Sequence, residues 1–182
     1  MKLSQLVYLS VKNSIYYDSK EFTYQAFLNG DFDYDKDYSL TINNVFTPIN
    51  EAIARLSDLE RIPYIVYELD KSLIVKNNVI KLHEIPQFPY VIKEIKNIFQ
   101  LGENGEYRSI AFKKLGNHTI YLNDNYSKRL NVFLEFKEDI PAFNELHIKD
   151  GEDIDLQKRY GISASASQYI IEFVKGYLLE TI

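Results

Sequence analysis

The chain has 182 residues, 46% of them hydrophobic, with 26 acidic against 21 basic side chains and a formal charge of -5. That length suffices for one well-formed core and is short for two full domains, so one domain carrying an insertion is expected. The bases are spread without a block, which argues against tight phosphate-backbone binding, where clustered Lys and Arg must displace counterions.

Cysteine is absent, so disulfides, thiolate metal sites and cysteine nucleophiles are excluded, and assembly in a reducing cytoplasm fits. Met1 to Ser19 holds neither a cationic leader nor an uninterrupted apolar run, and no stretch reaches the roughly 20 apolar residues of a spanning helix. Neither secretion nor a membrane partner is expected. Fifteen Tyr and 11 Phe without Trp make a high aromatic load. Tyrosine, apolar in body and polar at its tip, suits protein interfaces; the excess of Tyr, Asn, Ile and Lys also accords with an AT-rich genome.

Leu3, Leu6, Val7, Val11 and Ile15 predict a helix over Ser4 to Tyr16. Phe22, Tyr24, Ala26 and Phe27 predict a second over Glu21 to Leu28, stopped by Asn29-Gly30. Acids then alternate through Asp31-Phe32-Asp33-Tyr34-Asp35-Lys36-Asp37. The alternation invites a calcium-loop reading, but the register fails: counted from Asp31, Lys36 stands where the loop needs Gly and Ile42 where it needs Glu. Counting from Asp33 puts Tyr38 and Asn44 there. The segment reads as a solvated connector with its last acids at the positive end of the next helix.

That helix, Asp37 to Ile62, organises the sequence. Ile42, Val45, Phe46, Ile49, Ala52, Ile53, Leu56 and Leu59 recur at three- and four-residue steps and form one apolar stripe. Pro48 removes a donor, but the stripe keeps its phase across it, predicting one kinked helix. Ile62-Pro63 ends it, and Tyr64 to Leu69 reads as a strand.

From Ser72 to Lys137 the signals are those of antiparallel strands. Leu73 to Val75 and Val79 to Leu82 flank the polar turn Lys76-Asn77-Asn78, a hairpin pattern. Pro86 and Pro89 mark a bend. The run from Val91 to Leu101 suits helix or strand, and Gly102 to Gly105 followed by Tyr107 to Leu115 favours a strand pair. Thr119 to Leu122 is a short strand, Asn123-Asp124-Asn125 a turn, and Arg129 to Phe136 a long strand. There Leu130, Val132, Leu134 and Phe136 alternate with Asn131, Phe133 and Glu135. Asp139 to Phe143 leaves the sheet. Asp150 to Asp155 reads as an exposed acidic loop with no histidine placed to make it a metal site. A last helix, capped by Ser165 or Ser167, carries Ile170, Ile171, Val174, Tyr177 and Leu178 and is expected to pack on the Asp37 to Ile62 helix. The fold class is α+β, with helical parts at 1–62 and 155–182 and a β-rich insertion at 63–140.

Catalytic signals are thin. His83, His118 and His147 fall in separate turn or strand-end settings, without metal spacing and without a neighbouring nucleophile motif. Gly161-Ile162-Ser163-Ala164-Ser165 lacks the second glycine of a nucleophile elbow. Gly102 to Gly105 lacks the Gly-Lys-Ser/Thr ending of a phosphate loop. Among 26 acids a glycosidase-like carboxylate pair is always available, which makes that idea uninformative. No catalytic residue, cofactor or metal is expected.

The layout nevertheless resembles a family. Short helices lead to Ile49-Asn50-Glu51-Ala52-Ile53-Ala54-Arg55-Leu56 and a strand after Ile62-Pro63. The β-rich insertion ends in Val132-Phe133-Leu134-Glu135-Phe136-Lys137-Glu138-Asp139-Ile140-Pro141, and an acidic loop and Tyr160-Gly161-Ile162 precede the last helix. This order is similar to that of the head-to-tail connector (adaptor) proteins of tailed bacteriophages, and the Asn, Ile and Tyr bias resembles ring proteins of crAss-like phages. The resemblance implies a small helical bundle carrying a β-insertion, in a dodecameric neck ring between portal and tail. In the virion it would extend the channel through which genomic DNA passes without sequence-specific binding, after assembly in the host cytoplasm, and it would not be an enzyme. Some adaptors dock on the portal through a long C-terminal tail; here Thr181-Ile182 follows the last helix directly, so a ring stacked further down the neck is an equal expectation. Closure of a ring needs two different faces per copy. Tyr90, Ile92, Phe99, Tyr107, Phe112 and Phe133 are the candidate contact positions, against the alternative that they fill the sheet's own core. The competing expectation is a small ligand-binding or carboxylate-dependent hydrolytic β-domain; a tail-completion protein of the same virion is a third.

Overall fold

The computed structural model describes residues 1–16, 18–30, 42–69, 78–123, 126–148 and 153–181, apart from the side chains of Ile42 and Asn43. The expected connector 31–37, the strand 73–75 with most of its turn, and parts of the 123–125 turn and of the 150–155 loop lie outside the described residues. The fold is α+β, and the chain divides into two compact units: Met1–Pro63 with Pro141–Ile182, and Tyr64–Ile140.

The first unit is helical: α1 (Leu3–Ser14), α2 (Tyr24–Asn29), α3 (Ile42–Asp58), α4 (Leu156–Tyr160) and α5 (Ala164–Thr181). Helix α5 packs against both α1 and α3. The three-and-four spacing explains why: Leu3, Leu6, Val7 and Val11 of α1, Val45 to Leu56 of the α3 stripe, and Ile170, Ile171, Val174 and Leu178 of α5 are all buried. Burying each such side chain contributes about 1.5–3 kcal/mol. Helix α3 runs on through Pro48. Its stripe stops one residue short of expectation, because Leu59 is 60% exposed. The helix has already ended there: Glu60 takes a left-handed φ of 56°, and Arg61 N–H returns to the Leu56 carbonyl at 2.9 Å.

Caps differ from the sequence reading in three places. Helix α2 starts at Tyr24 because the Thr23 hydroxyl accepts from Ala26 N–H at 3.2 Å, leaving Phe22 as a buried anchor stacked 4.4 Å from Tyr16. Ser163, rather than Ser165 or Ser167, caps α5, accepting from Ala166 N–H at 3.2 Å. Ser167 is fully buried, and its hydroxyl has no partner among the described residues. Third, the end of the acidic loop is a structural tie. Asp153 accepts from Ser4 N–H at 3.0 Å and from the Ser4 hydroxyl at 2.6 Å, so it caps a helix whose own first turn has no acid. With the Ser4 hydroxyl hydrogen pointed at Asp153, the Tyr24 hydroxyl, 2.5 Å away, is the donor to Ser4 Oγ. Asp155 caps α4 through Gln157 and Lys158 N–H, both at 3.1 Å.

The second unit holds β1 (Ile65–Leu69), β2 (Val79–Lys81), β3 (Ile92–Leu101), β4 (Tyr107–Ser109), β5 (Phe112–Leu115), β6 (Thr119–Leu122) and β7 (Val132–Glu138). They form two antiparallel sheets, ordered β1-β7-β3-β4 and β2-β6-β5. Leu69, Ile98, Val132, Leu134 and Phe136 from the first meet Ile80, Ile120 and Leu122 from the second in one buried cluster. Strand β7 starts later than expected: Leu130 N–H bonds back to the Ser127 carbonyl in a turn at 3.2 Å. The ambiguous run before Gly102 is strand, and register shifts between Ile92 and Glu94 and between Ile95 and Asn97 break its alternation. The single strand expected over Tyr107 to Leu115 is two. Ile110 N–H still bonds Ile98 in one sheet at 2.7 Å, while the Ala111 carbonyl accepts from Asn123 beside the other at 3.0 Å.

Candidate interface on the β-unit

In an antiparallel sheet, residues directly opposite point to the same face. Phe99 lies opposite both Phe133 and Ser109, and Leu101 opposite Tyr107. Phe99, Leu101, Phe133 and Tyr107 therefore share the face of the four-stranded sheet turned away from its buried cluster. The Phe99 and Phe133 rings stack at 5.2 Å with planes 9° apart, and Tyr107 meets Phe99 edge-on at 5.1 Å. Tyr107 is 72% exposed and Leu101 is also exposed, while the two phenylalanines are half-buried. Along the same face Glu68 bonds Asn131 and Lys96 approaches Glu135 at 3.9 Å, so the aromatic patch has a polar border.

The six candidate contact positions thus separate. Phe99, Tyr107 and Phe133 come together on this outer face. Tyr90, Ile92 and Phe112 pack against the buried cluster instead, Tyr90 edge-on to Phe136 at 5.4 Å. These three are partly buried there.

A second feature is a groove of about 510 Å³ lined by residues of both sheets. Leu82, Phe88, Tyr90 and Ile92 give its lining apolar surface. Polar groups join them. Lys93 comes from β3, Lys114 from β5, Asn117 and His118 from the turn before β6, His83 from the single turn after β2, and Asp139 from the end of β7. Nothing in their spacing along the chain brings His83 and His118 together. Pairing of β2 with β6 and a 2.8 Å bond from Leu82 N–H to the His118 carbonyl bring their rings to 6.5 Å, edge to face. Lys81, hydrogen-bonded at 2.8 Å to Glu84 beside His83, holds that carboxyl below its usual range, helped by the nearby charges of Lys81 and His83. His147 stands apart in the helical unit, edge-on to Phe143 at 5.5 Å.

Among the described residues no three His, Asp or Glu side chains are grouped to hold a metal ion. No helix there is long and apolar enough to cross a membrane. Comparison with protein families, with curated proteins and with solved structures gives no match.

Proposed function

We propose that this chain is a structural, non-catalytic virion protein that assembles into a ring in the head-to-tail connector of a tailed bacteriophage. The observation that carries the reading is the outward aromatic patch of Phe99, Phe133 and Tyr107 on the four-stranded sheet. Aromatic side chains with a polar border are what protein interfaces enrich, and Tyr107 is left largely in water by this chain alone. Support also comes from the order of elements, helices leading into a β-unit and back. An excess of acids without a basic block suits a channel along which DNA passes without sticking. The resemblance implies twelve copies, with the portal and other neck proteins as neighbours.

The test is light scattering after size-exclusion chromatography, with negative-stain imaging, of the chain alone and mixed with its virion's portal. Rings or ring-sized assemblies are expected, weakened at least about tenfold by Tyr107→Glu, which is exposed enough to leave the fold intact. A chain that stays monomeric and never joins a neck complex overturns the reading. The runner-up, a ligand-binding or hydrolytic β-domain, would use the groove. Its described lining holds one carboxylate, Asp139, where a hydrolytic pair needs two.

A further inference from the structure

We propose that β4 of one copy pairs antiparallel with β1 of the next, so that the four-stranded sheets of neighbouring copies run on into one another. The inference rests on the self-association proposed above and names the strands that make it.

Both outer strands of that sheet are open, and the register fixes which groups they offer. Ile110 N–H donates to the Ile98 carbonyl and Gly102 N–H to the Glu106 carbonyl, both at 2.7 Å. Main-chain groups of successive residues turn to alternate sides of a strand, so Arg108 faces β3 while Tyr107 and Ser109 face outward. The same alternation carries across the sheet. Ile98 directs its groups to β4, so Leu134 opposite it turns toward β1 and pairs with Tyr67, which leaves Val66 and Glu68 facing outward on the far edge. Val66, Glu68, Tyr107 and Ser109 are all exposed, and no described residue bonds their outward main-chain groups.

The two edges fit each other. In the order β1-β7-β3-β4 every pair is antiparallel, so β1 and β4 run in opposite directions. Copies set side by side in one orientation, as around a ring, therefore meet β4 to β1 in an antiparallel pair, the geometry used throughout the sheet. One register satisfies both edges: Tyr107 opposite Glu68 of the next copy and Ser109 opposite its Val66, each pair exchanging both of its hydrogen bonds. That register sets Arg108 opposite Tyr67 on the sheet's other face, a guanidinium beside an aromatic ring. It also carries the outward patch on from Tyr107, 72% exposed, to Val66, 54% exposed.

Strand β1 lacks the usual defences of an edge: its sequence Ile-Val-Tyr-Glu-Leu has neither Lys nor Pro, and its ladder with β7 has no bulge. Copies carrying a net -5 repel one another, and at this joint the sign inverts, because Glu68 is the charge of β1 and Arg108 that of β4. Unlike edges leave each copy with one to give and another to receive, the arrangement that closes rings; pairing of like edges stops at a dimer.

The experiment uses the full chain, which has no cysteine of its own. Val66→Cys and Ser109→Cys fall on opposite edges of one copy, three strand spacings of about 4.8 Å apart, whereas a disulfide needs Cα atoms within about 7 Å. Mild oxidation of the double variant is expected to give a ladder of linked chains. A mixture of the two single variants should give a linked pair holding one of each, and either single variant alone should stay unlinked. Ser109→Pro removes an outward N–H and no bond inside the sheet, so it should weaken assembly at least about tenfold by light scattering, with the circular dichroism spectrum unchanged. Linking of Val66→Cys to itself, or of Ser109→Cys to itself, overturns the inference in favour of paired like edges. So do ring-sized assemblies in which positions 66 and 109 do not link, or which form equally well with Ser109→Pro; these leave the connector reading standing. A chain monomeric throughout overturns both.

Discussion

The side chain of Asn50 and the backbone of Phe143 bond to each other at two points, with Asn50 Nδ2 donating to the Phe143 carbonyl at 2.9 Å and Phe143 N–H donating to Asn50 Oδ1 at 2.8 Å. The amide stands in for a strand partner, and it fixes the returning chain on α3 where Phe143 is buried. Asn50→Ala strands both backbone groups, each costing about 1–3 kcal/mol. Asn50→Asp removes the donor and sets a charge against the carbonyl, so it should be at least as damaging at neutral pH. Urea unfolding should show a midpoint lowered by about 1–3 M at a slope of about 2 kcal/mol per M.

Two buried serines should respond with opposite signs. Ser4 is satisfied from both sides by Asp153 and Tyr24, so Ser4→Ala leaves a carboxylate and a phenol short of a partner and should cost about 1–3 kcal/mol. Ser167 buries a hydroxyl that bonds to none of the described residues. Ser167→Ala should be neutral or stabilising by about 0.5–1 kcal/mol, helped by the higher helix propensity of Ala. Thermal melts of the two variants read the difference.

Acid should act through the cap of α4. Hydrogen bonds from Lys158 N–H first, then the N-terminal charge and Gln157 N–H, hold the Asp155 carboxyl below its usual 3.8. A group lowered on folding contributes stability that is present above its unfolded value and lost as the pH falls through the folded one. Glu84, held down by Lys81, acts with the same sign. The wild-type urea midpoint should therefore fall between pH 5 and 3 more steeply than that of Asp155→Asn, which keeps the accepting oxygen but has nothing to titrate. Parallel curves would refute the assignment.

In the β-unit, Gln100 is buried and holds a loop by its amide. Its Nε2 donates to the Ser127 carbonyl at 2.6 Å, and Ser127 N–H donates to its Oε1 at 2.8 Å. Gln100→Leu keeps the volume and removes both bonds. The expected cost is about 1–3 kcal/mol, with faster hydrogen exchange confined to Ser127 and its neighbours. Unchanged exchange there would show that the loop is held by other contacts.

Much of the fold was legible where burial imposes a period. The stripes of α1, α3 and α5 follow the helical step, and Val132, Leu134 and Phe136 follow the strand step, because each element has one covered face. The Val91 to Leu101 run was ambiguous because its two register shifts scramble that step. The break at Ile110 was invisible because both halves are strand and only the partner changes. The sequence alone reads Asp153 as an acid of an exposed loop, because its use as a cap depends on α1, nearly the whole chain away. The groove was illegible for the same reason: His83 and His118 meet through β2 pairing with β6. The outer patch was half legible, since composition marks aromatics as contact candidates but only register separates Phe99, Tyr107 and Phe133 from Tyr90, Ile92 and Phe112.

Strands β1 and β7, by which the chain arrives in the sheets and departs from them, are paired neighbours, Ile65 opposite Phe136. The whole stretch Tyr64–Ile140 is therefore spliced into the helical host at two adjoining stitches, each flanked by a proline, Pro63 or Pro141. A stretch whose two ends lie paired side by side can change in length or surface beyond those ends without moving the points at which the chain enters and leaves it.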